Sequence, residues 1–228
     1  MGGYAGKILY IDLTSGNIET KPLDSKFARE YIGGLGFSTR IYLDLIKDTP
    51  EFDALSADNP FVLMTGPLTG MKMDAVARWT LGTKSPLTGL WGDSNIGGYF
   101  GAELKFAGYD GMVVTGEADK PTCIYIDDDT VRIRDANKYW GMDAYTANDE
   151  IIADYKGESR KSGQVLTIGP AGENLVRFAS LINKKGHAAG RTGVGAVWGA
   201  KKLKAIFVRG TGKLEAAHPD KLKNLREE

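Results

Sequence analysis

Two glycine-rich segments carry the residues with the clearest chemical potential. They are Gly92-Asp93-Ser94-Asn95-Ile96-Gly97-Gly98 and Gly186-His187-Ala188-Ala189-Gly190-Arg191-Thr192-Gly193, and each leads into a predicted helix. Small residues let a ligand approach the backbone closely, and free N–H groups at a helix start favour an anion. Arg191 adds a planar fork suited to phosphate, and Arg78, Lys84, Lys184 and Lys185 add positive charge nearby in sequence. Two such cradles suit a ligand with two phosphates or one symmetric cofactor. The competing reading is a pair of ordinary turns, with glycine at positive φ and arginine in solvent. His187 suits either a phosphate donor and acid/base group or a packed loop histidine.

Other motifs are weaker. Gly193-Val194-Gly195-Ala196-Val197-Trp198-Gly199 is one residue longer than a dinucleotide fingerprint. Its preceding strand ends near Ile182, and no βαβ run surrounds it. No phosphate-binding G-x-x-x-x-G-K-[ST] sequence occurs. Asp93 and Glu103 read as cap and surface residues, and Asp127–Asp129 as a turn. Cys123 reads as a buried hydrophobe. Trp79, Trp91, Trp140 and Trp198 read as core or interface, with Trp91 adjoining the first cradle. No residue of the chain stands out as catalytic.

Composition sets bounds. The chain has 228 residues, 42% hydrophobic and 25% charged, within the range of a folded domain. Lys+Arg and Asp+Glu both number 29, so no global field draws nucleic acid or an acidic membrane, and any anion site is local. Cys123 is the single cysteine, and His187 and His218 lie far apart. Neither an iron–sulfur cluster nor a His/Cys zinc site fits that inventory. The first residues lack a signal-peptide pattern and no apolar run approaches a membrane span, so a cytoplasmic location is expected. Glycine is the outlier: 30 of 228 residues, about 13% against ~7% in average usage.

The elements that must position these segments follow from pattern. Residues 5–20 read as a hairpin, and 24–47 as helical with an interruption at Gly33-Gly34-Leu35-Gly36. Residues 61–66 and 76–83 read as strands, 89–98 as a glycine-rich loop, 99–108 as a short helix and 111–116 as a strand. Residues 122–135 read as a hairpin and 143–155 as a helix. Strands are expected within 163–174 and 175–183, a second glycine-rich loop at 185–195, then the helix AVWGAKKLK and a strand at 205–210. An internal repeat emerges. Val62–Pro67 matches Val165–Pro170, and Phe100–Lys105 resembles Trp198–Lys204. The expected fold is therefore α+β, a duplicated β-rich unit with pseudo-two-fold symmetry and short helices after the glycine-rich loops. The two loops are expected to face one another. The repeats span roughly 1–120 and 121–212, and the charged tail, 213–228, reads as the start of a further helical domain.

GPLTG (66–70), Arg78, TKSPLTG (83–89), SNIGGYFGAELKFAGYDG (94–111), IGPAGEN (168–174) and AAGRTGVGAVWGAKKLKAI (188–206) together resemble the N-terminal domain of the aldehyde:ferredoxin oxidoreductase family. The resemblance runs from about Tyr4 to Gly210. It implies a base on which tungsten, or molybdenum, is held by the dithiolene sulfurs of two molybdopterins, with magnesium joining the pterin phosphates. It implies that Arg78 contacts a pterin, that Asn95 and Gly97 line one pterin, and that Ala188, Gly190 and Arg191 line the other. The backbone carbonyls of Asn95 and Ala188 would contact magnesium. His187 stands where the family commonly has arginine, which weakens one phosphate contact or makes it pH-dependent. The family's helical domains, with a [4Fe–4S] cluster and the acid/base residues, are implied as further parts or a partner subunit. The full enzyme would oxidise an aldehyde to a carboxylic acid and pass electrons to ferredoxin. Reduction of an aromatic acyl-CoA, or a non-catalytic pterin-binding or assembly role, are the alternatives.

Overall fold

A computed structural model describes residues 1–156 and 163–227. The first repeat comprises β1 (Lys7–Asp12), β2 (Ile18–Pro22), α1 (Ser25–Tyr31), α2 (Leu35–Ile46), β3 (Phe61–Thr65), β4 (Trp79–Lys84), β5 (Trp91–Ile96), α3 (Phe100–Phe106) and β6 (Gly111–Thr115). The second comprises β7 (Thr122–Asp127), β8 (Thr130–Asp135), a 3-10 turn at Asn137–Tyr139, α4 (Ala144–Lys156), β9 (Gln164–Thr167), α5 (Pro170–Glu173), β10 (Leu181–Asn183), β11 (His187–Ala189), α6 (Val194–Ala200) and β12 (Leu203–Arg209). A last helix, α7 (Pro219–Glu227), follows.

Each repeat forms one six-stranded sheet, ordered β2-β1-β6-β3-β4-β5 and β8-β7-β12-β9-β10-β11. The two orders are the same once the strands are renamed. In both sheets the last strand lies parallel to the first and antiparallel to the third. The duplicated fold expected from the sequence is therefore present.

Alternation along the strands sets three cores. Leu9, Ile11 and Leu63 of the first sheet, with Ile124, Ile126 and Leu166 of the second, share one apolar core with Phe100 and Leu104 of α3 and Val194 and Trp198 of α6. The Phe61 and Trp198 rings lie 5.1 Å apart within it, joining the two repeats. The opposite faces are covered separately. Ile8, Val62, Met64 and Val113 pack under Phe37, Ile41 and Tyr42 of α2. Cys123, Tyr125, Val165 and Phe207 pack under Ala147, Ile151 and Tyr155 of α4.

Several expected boundaries move. Residues 91–96 and 187–189, read as loops, are strands held by pairing with β4 and β10. The strand expected at 76–83 begins at Trp79. Of 175–183 only Leu181–Asn183 is strand, and Pro170–Glu173 is a helical turn with proline at its start. The helix expected over AVWGAKKLK spans Val194–Ala200, and Leu203 and Lys204 already belong to β12. The helix match is also shifted. Phe106 ends α3 five residues before Gly111, and Ala200 ends α6 five residues before Ala205. Gly111 pairs with Met64, and Ala205 pairs with Thr167, the repeat partner of Met64. Gly101 therefore corresponds to Gly195, one turn from the Gly199 that sequence similarity suggests.

Three fully buried lysines staple loops to this frame. Lys105 Nζ donates to Gly66 O at 2.9 Å and to Gly3 O, and lies 3.8 Å from Asp110. Lys201 Nζ donates to Gly116 O at 2.8 Å and Ala57 O at 3.2 Å. Lys204 Nζ donates to Met142 O at 2.8 Å and to Glu173. Burial pushes the Lys105 and Lys201 ammonium groups down, each to about 8, with Asp110 opposing the shift at Lys105. Between that value and the ordinary 10.5, the folded chain binds fewer protons than the unfolded chain. The lysines' contribution to stability therefore rises with pH across this window. Cys123 and Tyr42, each pushed up to about 12 by burial, oppose the trend as the unfolded thiol and then the unfolded phenol ionise, and together they reverse it above pH ~10. A urea titration series is expected to show the unfolding midpoint rising from pH 8 and falling above pH ~10; a midpoint that falls steadily from pH 8 contradicts this account of the lysines.

Candidate functional site

The two glycine-rich segments occupy equivalent places. Met64 pairs with Thr80, and Thr80 with Asn95. In the second sheet Thr167, the repeat partner of Met64, pairs with Ile182, and Ile182 with Ala188. Asn95 and Ala188 are thus the same position in the two copies. Each lies on the last strand of its sheet, β5 or β11.

Their main-chain direction follows from the ladder. Ser85 N donates to Leu90 O at 2.8 Å, closing the β4–β5 hairpin with a hydrogen-bonded pair. Such pairs recur every second residue, so 83–92, 81–94 and 79–96 are also bonded. Asp93 and Asn95 therefore turn their N–H and C=O groups off the sheet edge. Asp93 O bears this out, because it accepts a 2.9 Å hydrogen bond from Thr192 Oγ1 of the second repeat. Asn95 O points the same way, two residues on. By repeat equivalence Ala188 O points off the edge of its own sheet.

The two edges meet without pairing into one sheet. Arg191 N donates to Ser94 Oγ at 3.4 Å, a long contact beside the Thr192 bond. The His187 ring lies across Gly97 and Gly98: a Cβ on Gly98 would stand 2.8 Å from its Cδ2, and one on Gly97 would stand 3.3 Å from its Nδ1. Gly98 also has φ of 85°, and a Cβ there would lie 2.4 Å from Asn183 Oδ1. The fully buried Asn183 is fixed in turn by donating from Nδ2 to Val165 O at 2.8 Å. The facing arrangement expected from the sequence is thus present, and it depends on the Gly97-Gly98 pair.

Asn95, Ala188, Gly190 and Arg191 are exposed, while Ser94, Ile96 and Ala189 are buried beneath them. A Cβ on Gly190 would meet nothing within 4 Å. Packing therefore does not demand glycine there, and its φ is not in the left-handed region. The Asn95 side chain is held along its strand. Its Oδ1 accepts from Thr80 Oγ1, and its Nδ2 donates to Asp93 Oδ2, both at 3.0 Å. Arg78 is exposed directly before β4, with its carbonyl accepting from Thr69 Oγ1 at 2.8 Å.

Some charges expected here lie elsewhere. Lys84 donates to Phe52 O at 2.7 Å and sits over the Phe52 ring, on the far side of the hairpin turn. Lys185 pairs with Asp149. Lys184 remains at the junction, 5.4 Å from the Tyr99 ring centroid. Asp93, read as a cap or surface residue, instead links Asn95 to Thr192. Thr80, Ser94, Asn183 and Thr192 were not singled out by sequence; only the strand register brings them to the site. Among the described residues, no three His, Cys, Asp or Glu side chains gather as a metal site, and no helix is long and apolar enough to cross a membrane.

The geometry defines a duplicated α+β domain whose two sheet edges meet at a junction of exposed main-chain groups. The sequence matches the family "Aldehyde ferredoxin oxidoreductase, N-terminal domain" over residues 8–210, and the chain belongs to this family. It is 47% identical to the tungsten-containing aldehyde ferredoxin oxidoreductase of Pyrococcus horikoshii, over 97% of this chain and 36% of that protein. It is 37% identical to the WOR-like subunit of the aliphatic sulfonate oxidoreductase of Pyrococcus furiosus, over 100% of this chain and 38% of that one. Among solved structures, it superimposes with a TM-score of 0.92 and 38% identity on the active-site complex BamBC of benzoyl coenzyme A reductase, solved with 1,5-dienoyl-CoA. That match covers 99% of this chain and 34% of the other. The chain thus spans about a third of the length of the relatives it matches.

Gly98→Ala is expected to destabilise the chain by roughly 2–4 kcal/mol, from left-handed backbone strain plus overpacking against Asn183 and His187. Thermal unfolding checks this; an unchanged melting temperature contradicts the packing described.

Proposed function

We propose that this chain is the bis-pterin-binding domain, residues 1–212, of a tungsten-dependent aldehyde:ferredoxin oxidoreductase. Residues 213–228 begin the helical part. The observation that carries the reading is the pair of equivalent, outward-turned carbonyls, Asn95 and Ala188, on two sheet edges held in contact.

The residues fit the group. Magnesium is a hard cation that takes oxygen ligands and keeps company with phosphates. The Asn95 and Ala188 carbonyls would supply two such oxygens beside the pterin phosphates. Gly97 would line one pterin, and Gly190, with open space where a Cβ would stand, the other. Arg191 and Arg78, both exposed, would neutralise phosphate or pterin oxygens. His187 would donate from its ring edge while stacked on Gly97-Gly98. Main-chain donors and carbonyls need no reorganisation on binding, so the cradle is set before the cofactor arrives.

When bound, the tungsten of such a cofactor supplies two-electron chemistry at an aldehyde carbon. This chain's part is to orient the cofactor and to close one side of it against water. The acid/base residues, a [4Fe–4S] cluster and the ferredoxin contact belong to the remaining helical domains or a partner subunit. Exposed apolar side chains support this reading: Leu87 and Leu90 in the β4–β5 turn are 58% and 70% exposed, and Phe178 is 72% exposed. Pro86 and Arg177, from these same segments, share one cleft.

Aromatic acyl-CoA reduction is the second reading, favoured by the superposition on the benzoyl coenzyme A reductase complex. The aldehyde reading is preferred because the identity to the tungsten aldehyde oxidoreductase is higher. A non-catalytic assembly role would need the same cradle.

In the full-length protein, Arg191→Ala is expected to lower both tungsten and pterin per chain, read by elemental analysis and pterin fluorescence. Unchanged content would sink the role given to Arg191.

A further inference from the structure

Thr192 stands in a backbone conformation that its side chain disfavours. Its φ is 75°, in the left-handed region where a β-branched residue is strained, and Gly193 follows at 72°. Glycine at 193 is explained by packing, since a Cβ there would lie 1.9 Å from Arg177 O. Nothing comparable explains threonine at 192, where glycine would meet the same φ without strain.

What threonine adds is a grip on the other repeat. Its Oγ1 donates to Asp93 O at 2.9 Å, and its Cγ2 would be 3.1 Å from a Cβ on Gly92. Asp93 Oδ2 in turn accepts from Asn95 Nδ2, and Asn95 Oδ1 accepts from Thr80 Oγ1. A connected chain thus runs from Thr192 in the second repeat to Asn95 in the first. Thr192 lies four residues from Ala188 and one from Arg191. The strained residue is therefore tied to both halves of the cradle at once.

We propose that Thr192 is a positioning residue: its hydroxyl fixes the spacing of β5 and β11, so that the Asn95 and Ala188 carbonyls converge on one point. The inference rests on the cofactor reading above. Thr192 acts through Asp93 and Asn95 and touches no ligand in this role.

The test compares three variants of the full-length protein, purified with its cofactor. Thr192→Ser keeps the hydroxyl, Thr192→Val keeps the shape without the donor, and Thr192→Gly removes both hydroxyl and strain. Tungsten and pterin per chain are measured, with a thermal melt for each variant. The serine variant is expected to match the wild type. The valine and glycine variants are expected to lose about 10-fold or more in metal retention, as loss of a group supporting metal ligands does. The glycine variant, freed of strain, is expected to melt no lower than the wild type, so its loss is not a loss of fold. Valine and glycine variants that retain full metal and pterin overturn the proposal, as does a serine variant that fails with them. A wild-type protein without tungsten or pterin overturns the cofactor reading itself, and this inference with it.

Discussion

Two sheet edges that touch but do not pair control this molecule. An edge strand presents unpaired main-chain groups, and proteins ordinarily cover or blunt it. Here β5 and β11 are brought together by side-chain and glycine contacts: Thr192 on Asp93, Arg191 on Ser94, and His187 on Gly97-Gly98. Had the edges joined in one ladder, the Asn95 and Ala188 carbonyls would have been consumed by strand pairing. Keeping the edges apart leaves them available, and duplication places them at equivalent positions.

The rest of the fold holds that junction still. The shared core draws side chains from both sheets, with α3 and α6 inside it, so neither repeat has an inner core of its own. The buried lysines show how the copies diverged within a common frame. Asp110 and Lys204 occupy equivalent positions, since Thr65 N donates to Asp110 O and Ile168 N to Lys204 O. One copy buries the carboxylate with Lys105, and the other buries the ammonium with Glu173. A buried charge left without its partner is costly, so each copy had to acquire a complete pair.

Much of this was legible in the sequence, and the failures have physical causes. The repeat was visible because the same Gly-Pro pair follows β3 and β9. The facing segments were found, but they were read as loops because Trp91-Gly92-Asp93-Ser94-Asn95-Ile96 has poor strand propensity. Pairing with the apolar β4 overrides that local preference. The helix correspondence slipped by one turn because Phe-Gly-Ala and Trp-Gly-Ala look alike, while strand register decides the alignment. Lys105, Lys201 and Lys204 gave no sign of burial, since their carbonyl partners lie 39 to 144 residues away in sequence. The direction of the Asn95 carbonyl was invisible for a similar reason: it depends on which residues pair in the β4–β5 ladder.

The central claim is that one metal-bearing cofactor spans both halves of the cradle. The most direct test is the ratio of pterin to tungsten or molybdenum in the full-length protein, purified from its natural host without oxygen. The account predicts two pterins for each metal and chain, one for each repeat. A single pterin per metal, or a loaded enzyme with none, would contradict it.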